Sequence, residues 1–317
     1  MRRSARRLGF VAVVLSSAAQ SCTLEEVTIV DVEDVVVAEI VVQINQMPGV
    51  QNRLTAFLHR TVGGVGPGFH EVPGASITIS RSDGLSVELA RTTLDVCVAT
   101  APVDGTGTCY MAAPSAADRF GPGDRLEARV ALQSGGVMIG VSDVPGDFGL
   151  RNVPDGGYCT QPADTPLEVR WSLSQGAWAY LNETSVAGLA GFFAGSDFEV
   201  EDPLYLLGLS ISAADTTIVF PGEFGLFNRF EMERDVALQL QEGLPLNTRA
   251  DVTIAATDRN YVNWVRGGNF NPSGQVRVPS LRGDGTGLFG TVVVRSFSVA
   301  VGPGPQDPGA GAPACSP

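Results

Sequence analysis

Residues 75–90 read ASITISRSDGLSVELA, and this run decides the fold class. Ile77 and Ile79 alternate with Thr78 and Ser80, Asp83-Gly84 offers a turn, and Val87 and Leu89 alternate on the way back. Successive side chains of a strand point to opposite faces, and glycine accepts the positive φ of a tight turn. Period-two alternation around an Asp-Gly pair therefore predicts a β-hairpin.

The same pattern extends in both directions. Val35 to Ile44, VVVAEIVVQI, is nearly continuous in apolar residues, as in a strand covered on both faces, and Leu54 to Arg60 gives a second strand. Leu94 to Thr100 and Thr108 to Ala112 predict another hairpin around Asp104-Gly105-Thr106-Gly107. Leu126, Ala128, Val130 and Leu132 alternate with polar neighbours, Ser134-Gly135-Gly136 turns, and Val137 to Val144 returns. These strands predict a β-sandwich over residues 35–147.

Pro145 to Pro166 is dense in Gly, Pro and Asp and reads as a boundary. Beyond it a second sandwich is expected over residues 160–302. Leu167 to Leu173 pairs with Trp178 to Leu181 across Ser174-Gln175-Gly176, followed by strands at Tyr205–Ile211, Thr216–Phe220, Arg234–Leu240 and Asp251–Ala256, then 275–279 and 287–301. One helix is predicted near 258–266, where Tyr261, Trp264 and Val265 recur at helical spacing, Asp258 suits the N-cap and Gly267 the C-terminal stop. The low-complexity tail 303–317 is expected to be disordered. The fold class is thus all-β: two tandem β-sandwich domains of immunoglobulin-like or Greek-key type, with one short helix in the second.

The N-terminus sets the compartment. Arg2, Arg3, Arg6 and Arg7 precede an apolar run, Leu8 to Leu15, then small residues and Cys22. That order is a secretory signal, residues 1–21, with 22–34 as an acidic tether. A cysteine straight after the small residues resembles the lipobox of bacterial lipoproteins and marks Cys22 for lipidation. Ser17-Ala18-Ala19 also suits ordinary signal peptidase, which would release a soluble protein starting at Gln20. Acylating Cys22 leaves an even four cysteines, Cys97, Cys109, Cys159 and Cys315, for an oxidising compartment. Cys97 and Cys109 are expected to form a disulfide across the hairpin, since antiparallel partners bring Cα atoms within about 5.5 Å. Cys159 and Cys315 are paired or free, and the tail argues against an ordered bond.

Composition excludes several chemistries. The chain has no lysine, so there is no P-loop, kinase or Schiff-base lysine, and no G-x-S-x-G elbow surrounds any serine. Its net charge is −13, and removing the arginine-rich signal makes it more acidic still. That balance repels nucleic acid and anionic membrane surfaces.

The run NYVNWVRGGNFNPSGQVRVPSLRGDGTGLFGTVVV, residues 260–294, resembles the ending of bacterial lipoproteins grouped as domain of unknown function 4249. The matching residues are Tyr261, Trp264, Pro272, Gly287, Leu288, Phe289 and Gly290. PGASITISRSDG, RVALQSGGVMIGVSDVPGDF and RWSLSQGAWAYLN extend the likeness over nearly all of 22–302. The chain departs from the family in spelling GTGLFG and in lacking a paired Tyr in the second-domain strand. The resemblance implies an outer-membrane or surface lipoprotein, often near TonB-dependent transporters, with no established activity.

Candidate sites are few. His59 and His70 with Glu71 have the composition of a two-histidine, one-carboxylate metal site, but exposed loop ends account for them. The Asp104 and Asp284 turns each offer one carboxylate, too few for calcium. The acidic groups Glu199-Glu201-Asp202 and Glu231-Glu233-Asp235 read as solvated rims. Of the three tryptophans, Trp171 and Trp264 fit a core and Trp178 fits an exposed binding surface. No catalytic residue, cofactor or metal is expected. The function read from the sequence is a non-catalytic binding or accessory module of a membrane transporter or surface complex, held at the outer membrane by its lipid. A periplasmic or surface hydrolase with a carboxylate pair and a soluble secreted adhesin are the alternatives.

Overall fold

The computed structural model describes residues 34–61, 71–98, 107–210, 212–222, 233–267, 278–302 and 314–315. The signal, Cys22 and the tether up to residue 33 lie outside them. The strands are β1 Val36–Asn45, β2 Arg53–Arg60, β3 Ser76–Arg81, β4 Ser86–Thr92, β5 Thr108–Met111, β6 Arg125–Ala131, β7 Val137–Asp143, β8 Tyr158–Pro162, β9 Leu167–Arg170, β10 Ala179–Ala187, β11 Leu204–Leu209, β12 Thr217–Phe220, β13 Arg249–Thr257, β14 Leu281–Gly283 and β15 Gly285–Gly302. Four short helices join them: α1 Pro114–Ala117, α2 Leu189–Phe192, α3 Arg234–Glu242 and α4 Arg259–Arg266.

The 75–90 stretch forms its hairpin, Ile77 opposite Leu89 and Ile79 opposite Val87. The hairpin does not sit in a sandwich. Thirteen strands make one sheet, and nine of them close a barrel in the order β1-β2-β5-β4-β3-β6-β7-β14-β15, with β15 returning to β1. Closure removes the exposed edges that open sheets must protect. Ile40, Ile44, Leu54, Leu58, Ile77, Ile79, Leu126 and Met138 are fully buried in this packing.

The all-β class is correct, and the tandem pair of sandwiches is corrected to this barrel with an extension. The reason is β15, 18 residues long. One of its edges pairs in parallel with β1 from Thr286 to Val294, then with β8 from Ser298. Its other edge pairs with β14 at Gly285–Gly287, then with β13 from Val292. β13, β10 and β11 continue the sheet outward. A strand from the C-terminal half therefore completes the barrel of the N-terminal half, a non-local pairing that local alternation does not encode. Gly287 permits this closure: its φ is +149°, and a Cβ there would sit 1.9 Å from the Ala38 carbonyl oxygen.

Three local expectations change. Arg234–Leu240 is helix α3, not a strand; Val236 and Leu240 are buried one turn apart while Leu238 is exposed. Both periods fit RDVALQL, and burial of the i, i+4 pair selects the helix. β9 pairs with β12 and β10 with β13 and β11, so the expected hairpin across Ser174–Gly176 does not form. Cys97 follows a 3-10 turn at Leu94–Val96, and β5 pairs with β4 and β2 instead.

Helix α4 starts at Arg259, as the spacing predicts, with Asp258 as N-cap accepting from the Tyr261 N–H. It packs on β15, with Tyr261 against Gly290.

Candidate functional site

Between Gly287 and Val292 the β14 side of β15 is handed over to β13. Backbone groups at such a switch lose their ladder partners and need others. Asp258 and Asn260 supply them. Thr291 N–H donates to Asp258 Oδ1 at 3.3 Å, and Asp258 N–H donates to the Thr291 carbonyl at 3.1 Å. Asn260 Nδ2 donates to the Val141 carbonyl at 2.8 Å and the Phe289 carbonyl at 2.9 Å. Ser142 Oγ, from β7, donates to Asp258 Oδ2 at 2.7 Å and lies 2.9 Å from Thr291 Oγ1, which donates on to the Asp143 carbonyl at 3.1 Å.

Asp258 is only 4 % exposed. Burial raises its pKa to about 6, against the opposing pull of its hydrogen bonds from Ser142 and the backbone. Burial likewise holds the Tyr261 phenol above its ordinary range, with Glu183, Glu39 and Asp258 adding to the effect. All of Asp258's partners belong to the fold, so the centre splices barrel to extension.

Arg295 makes a second junction. Its guanidinium donates to the Phe148 carbonyl at 2.7 Å, to Asp155 at 2.7 Å, to Asp147 at 2.8 Å and to the Gln46 carbonyl. The Gly- and Pro-rich segment after Pro145 is thereby pinned against β15. Desolvation raises the Asp155 pKa even with Arg295 beside it. This arginine was not singled out in the sequence, because its carboxylates lie about 140 residues away.

The outward-facing chemistry lies around Trp178. The indole is 50 % exposed, and the Arg259 guanidinium carbon sits 5.0 Å from its ring centroid, a cation–π stack. Trp178 N–H is fixed to the Thr257 carbonyl at 2.8 Å. Asn260, the residue after Arg259, reaches β7 through its hydrogen bond to the Val141 carbonyl. There Ile139 and Val141 are 42 % and 40 % exposed. Trp171, in contrast, is buried, its ring edge-on to Tyr180 at 5.3 Å, and Trp264 is half-buried on α4.

The other predicted residues fall as follows. Cys97 is bonded to Cys109, with Cα atoms 5.8 Å apart. Cys159 is bonded to Cys315, whose N–H donates to the Thr160 carbonyl at 2.8 Å, so the end of the supposed disordered tail is tied to β8. His59 stacks on Phe57 at 5.3 Å, Glu71 pairs with Arg91, and His70 lies outside the described residues. Asp284 accepts from the Val137 N–H, and Asp104 lies outside the described residues. Asp202 accepts from the Gly188 and Ala190 N–H groups at the start of α2, while Glu231 is not among the described residues.

No family model matches the chain, and no curated protein matches it. Among solved structures it is similar to that of Dpr11 IG1 bound to DIP-gamma IG+IG2, at 8% identity and a TM-score of 0.19. The match covers 86% of this chain and 100% of that one. A score that low carries no argument about fold or function.

Proposed function

We propose that this chain is a non-catalytic binding module of the bacterial cell envelope, held at the outer membrane through a lipid on Cys22, with its contact face centred on Trp178 and Arg259. The observation that carries the reading is the half-exposed indole of Trp178. A large aromatic side chain left in water contributes little to folding, whereas a rigid one is well suited to contact. Here it is braced by Arg259 and fixed through its own backbone to β13. Two disulfides support residence in an oxidising compartment. The likeness of residues 260–294 to the lipoproteins of domain of unknown function 4249 supports an accessory role beside a TonB-dependent transporter or surface complex.

The test is crosslinking in intact cells followed by pull-down from membranes, with wild type compared with Trp178→Ala. The reading expects a specific outer-membrane partner with wild type and its loss with the variant at equal protein level. Equal capture by both would refute the assigned face.

A further inference from the structure

The connection between β10 and β11 carries a recess separate from the Trp178 face. Trp178 precedes β10, and this connection follows Ala187 at the strand's other end, about 27 Å further along. Ala190, Phe193, Ser196, Phe198, Glu199 and Val200 line a cavity of about 290 Å³. Phe193, Phe198 and Val200 are half-buried and pack against the hydrophobic core, which gives the recess a fixed apolar wall. The Phe193 and Phe198 rings lie 5.5 Å apart, and the exposed Phe192 stands edge-on to Phe193 at 4.9 Å. Hydrogen bonds hold the loop in this shape. Phe193 N–H donates to the Leu189 carbonyl at 3.0 Å, and Ser196 Oγ donates to the Phe198 carbonyl at 3.0 Å. Asp202 accepts from the Gly188 and Ala190 N–H groups.

The chain around this recess is acidic. From residue 171 to residue 228 it holds seven acids and no Lys, Arg or His. Glu199 lines the recess, and Asp197 and Glu201 flank it in sequence. All three are exposed, and none has an ion pair or hydrogen bond among the described residues. Register brings Arg249 to this end of the sheet, opposite Ala187, but Asp251 already pairs with it at 3.0 Å.

An aromatic face attracts a cation through its quadrupole, and a carboxylate beside it adds a charge-assisted hydrogen bond. Glu199 would repel an anion. A neutral apolar group would strip water from that carboxylate with nothing in exchange. A metal ion needs converging ligands, and among the described residues no three acidic, His or Cys side chains are grouped to hold one. Carboxylates at the alternate positions 197, 199 and 201 call for more than one cation. A basic polypeptide supplies several, and a small organic cation supplies one.

We propose that this recess binds a basic peptide segment of a partner protein. One Lys or Arg head lies against the Phe193 and Phe198 rings and pairs with Glu199, and further basic residues face Asp197 and Glu201. The site stands or fails independently of the Trp178–Arg259 face.

Fluorescence anisotropy on the purified full chain tests it, with a labelled Lys-Ser repeat peptide, the matching Glu-Ser peptide, and tetramethylammonium as a competitor. The expected result is saturable binding of the Lys-Ser peptide alone, weakening as salt rises. Glu199→Gln should lose about tenfold in affinity, because a charge-assisted contact goes. Its melting temperature should not move, because Glu199 holds no other part of the fold. Phe198→Leu should lose about threefold, because the ring face goes while most of the bulk stays. Glu88→Gln, at an exposed acid of β4 in the barrel, should change nothing. Equal losses in Glu88→Gln and Glu199→Gln would show general attraction to a chain of net charge −13 and overturn the proposal. Unchanged affinity in Glu199→Gln, binding of the Glu-Ser peptide, or no binding of the Lys-Ser peptide would overturn it as well. Tetramethylammonium bound as tightly as the peptide would assign the recess to a small cation and overturn the peptide assignment.

Discussion

Ser142 Oγ donates to Asp258 Oδ2 at 2.7 Å across 116 residues of sequence. The bond joins β7 of the barrel to the residue that caps α4 and ends β13, at the place where β15 changes neighbours. Without it and its companions, a buried carboxylate and several backbone groups would lack partners, each at a cost of about 1–3 kcal/mol.

This centre has a pH signature. Asp258 titrates near 6 in the folded chain and near 3.8 unfolded, so the folded state binds the proton more tightly. The burial cost of its charge is therefore fully present above about pH 6, falls away as pH drops, and is gone below about pH 4. Glu183 and Asp155 shift in the same direction and Asp83 and Glu168 in the opposite one, so the comparison must be between variants. Denaturant unfolding of wild type and Asp258→Asn at pH 7 and pH 4.5 isolates the group. Between these two pH values the wild type should gain on the variant by about 2 kcal/mol, at about 1.4 kcal/mol per pKa unit. A difference independent of pH would show that Asp258 is not the titrating group.

The tryptophans separate core from contact face. Trp171→Ala removes a buried ring packed on Tyr180 and should cost about 3–5 kcal/mol. Trp178→Ala should cost no more than about 1 kcal/mol, the scale of an exposed cation–π stack. Chemical denaturation of both variants checks this, and a Trp178→Ala cost equal to that of Trp171→Ala would place Trp178 in the core.

How much of this was legible depends on range. The 75–90 hairpin, β1, β6, β7 and the cap at Asp258 follow from alternation and from a side chain reaching three residues ahead, and they stand as expected. The barrel was not legible, because its closure depends on β15 meeting β1 about 250 residues away. Helix α3 is not legible locally, because RDVALQL satisfies both periods. Exposure of Trp178 was foreseen, since it follows a turn rather than lying within an alternating run. Its brace by Arg259 was not, because the two lie 81 residues apart and meet only once β10 pairs with β13.

Both disulfides close loops whose lengths differ greatly, with separations of 12 and 156 residues. In the chain-entropy account these should stabilise by about 3 and 5 kcal/mol. Replacing Cys159 and Cys315 together by Ser should thus lower stability more than replacing Cys97 and Cys109. Non-reducing peptide mapping should return Cys97–Cys109 and Cys159–Cys315; a dominant Cys97–Cys159 link would contradict the fold around β8.

Site-specific photocrosslinking tests the central claim most directly. A benzoyl-phenylalanine placed at Trp178 samples the contact face, and one at the exposed Leu238 of α3 samples another surface. Irradiation of intact cells should give a discrete adduct at Trp178 and none at Leu238. Adducts at Leu238 alone, or equally at both positions, would contradict a binding module that works through the Trp178–Arg259 face.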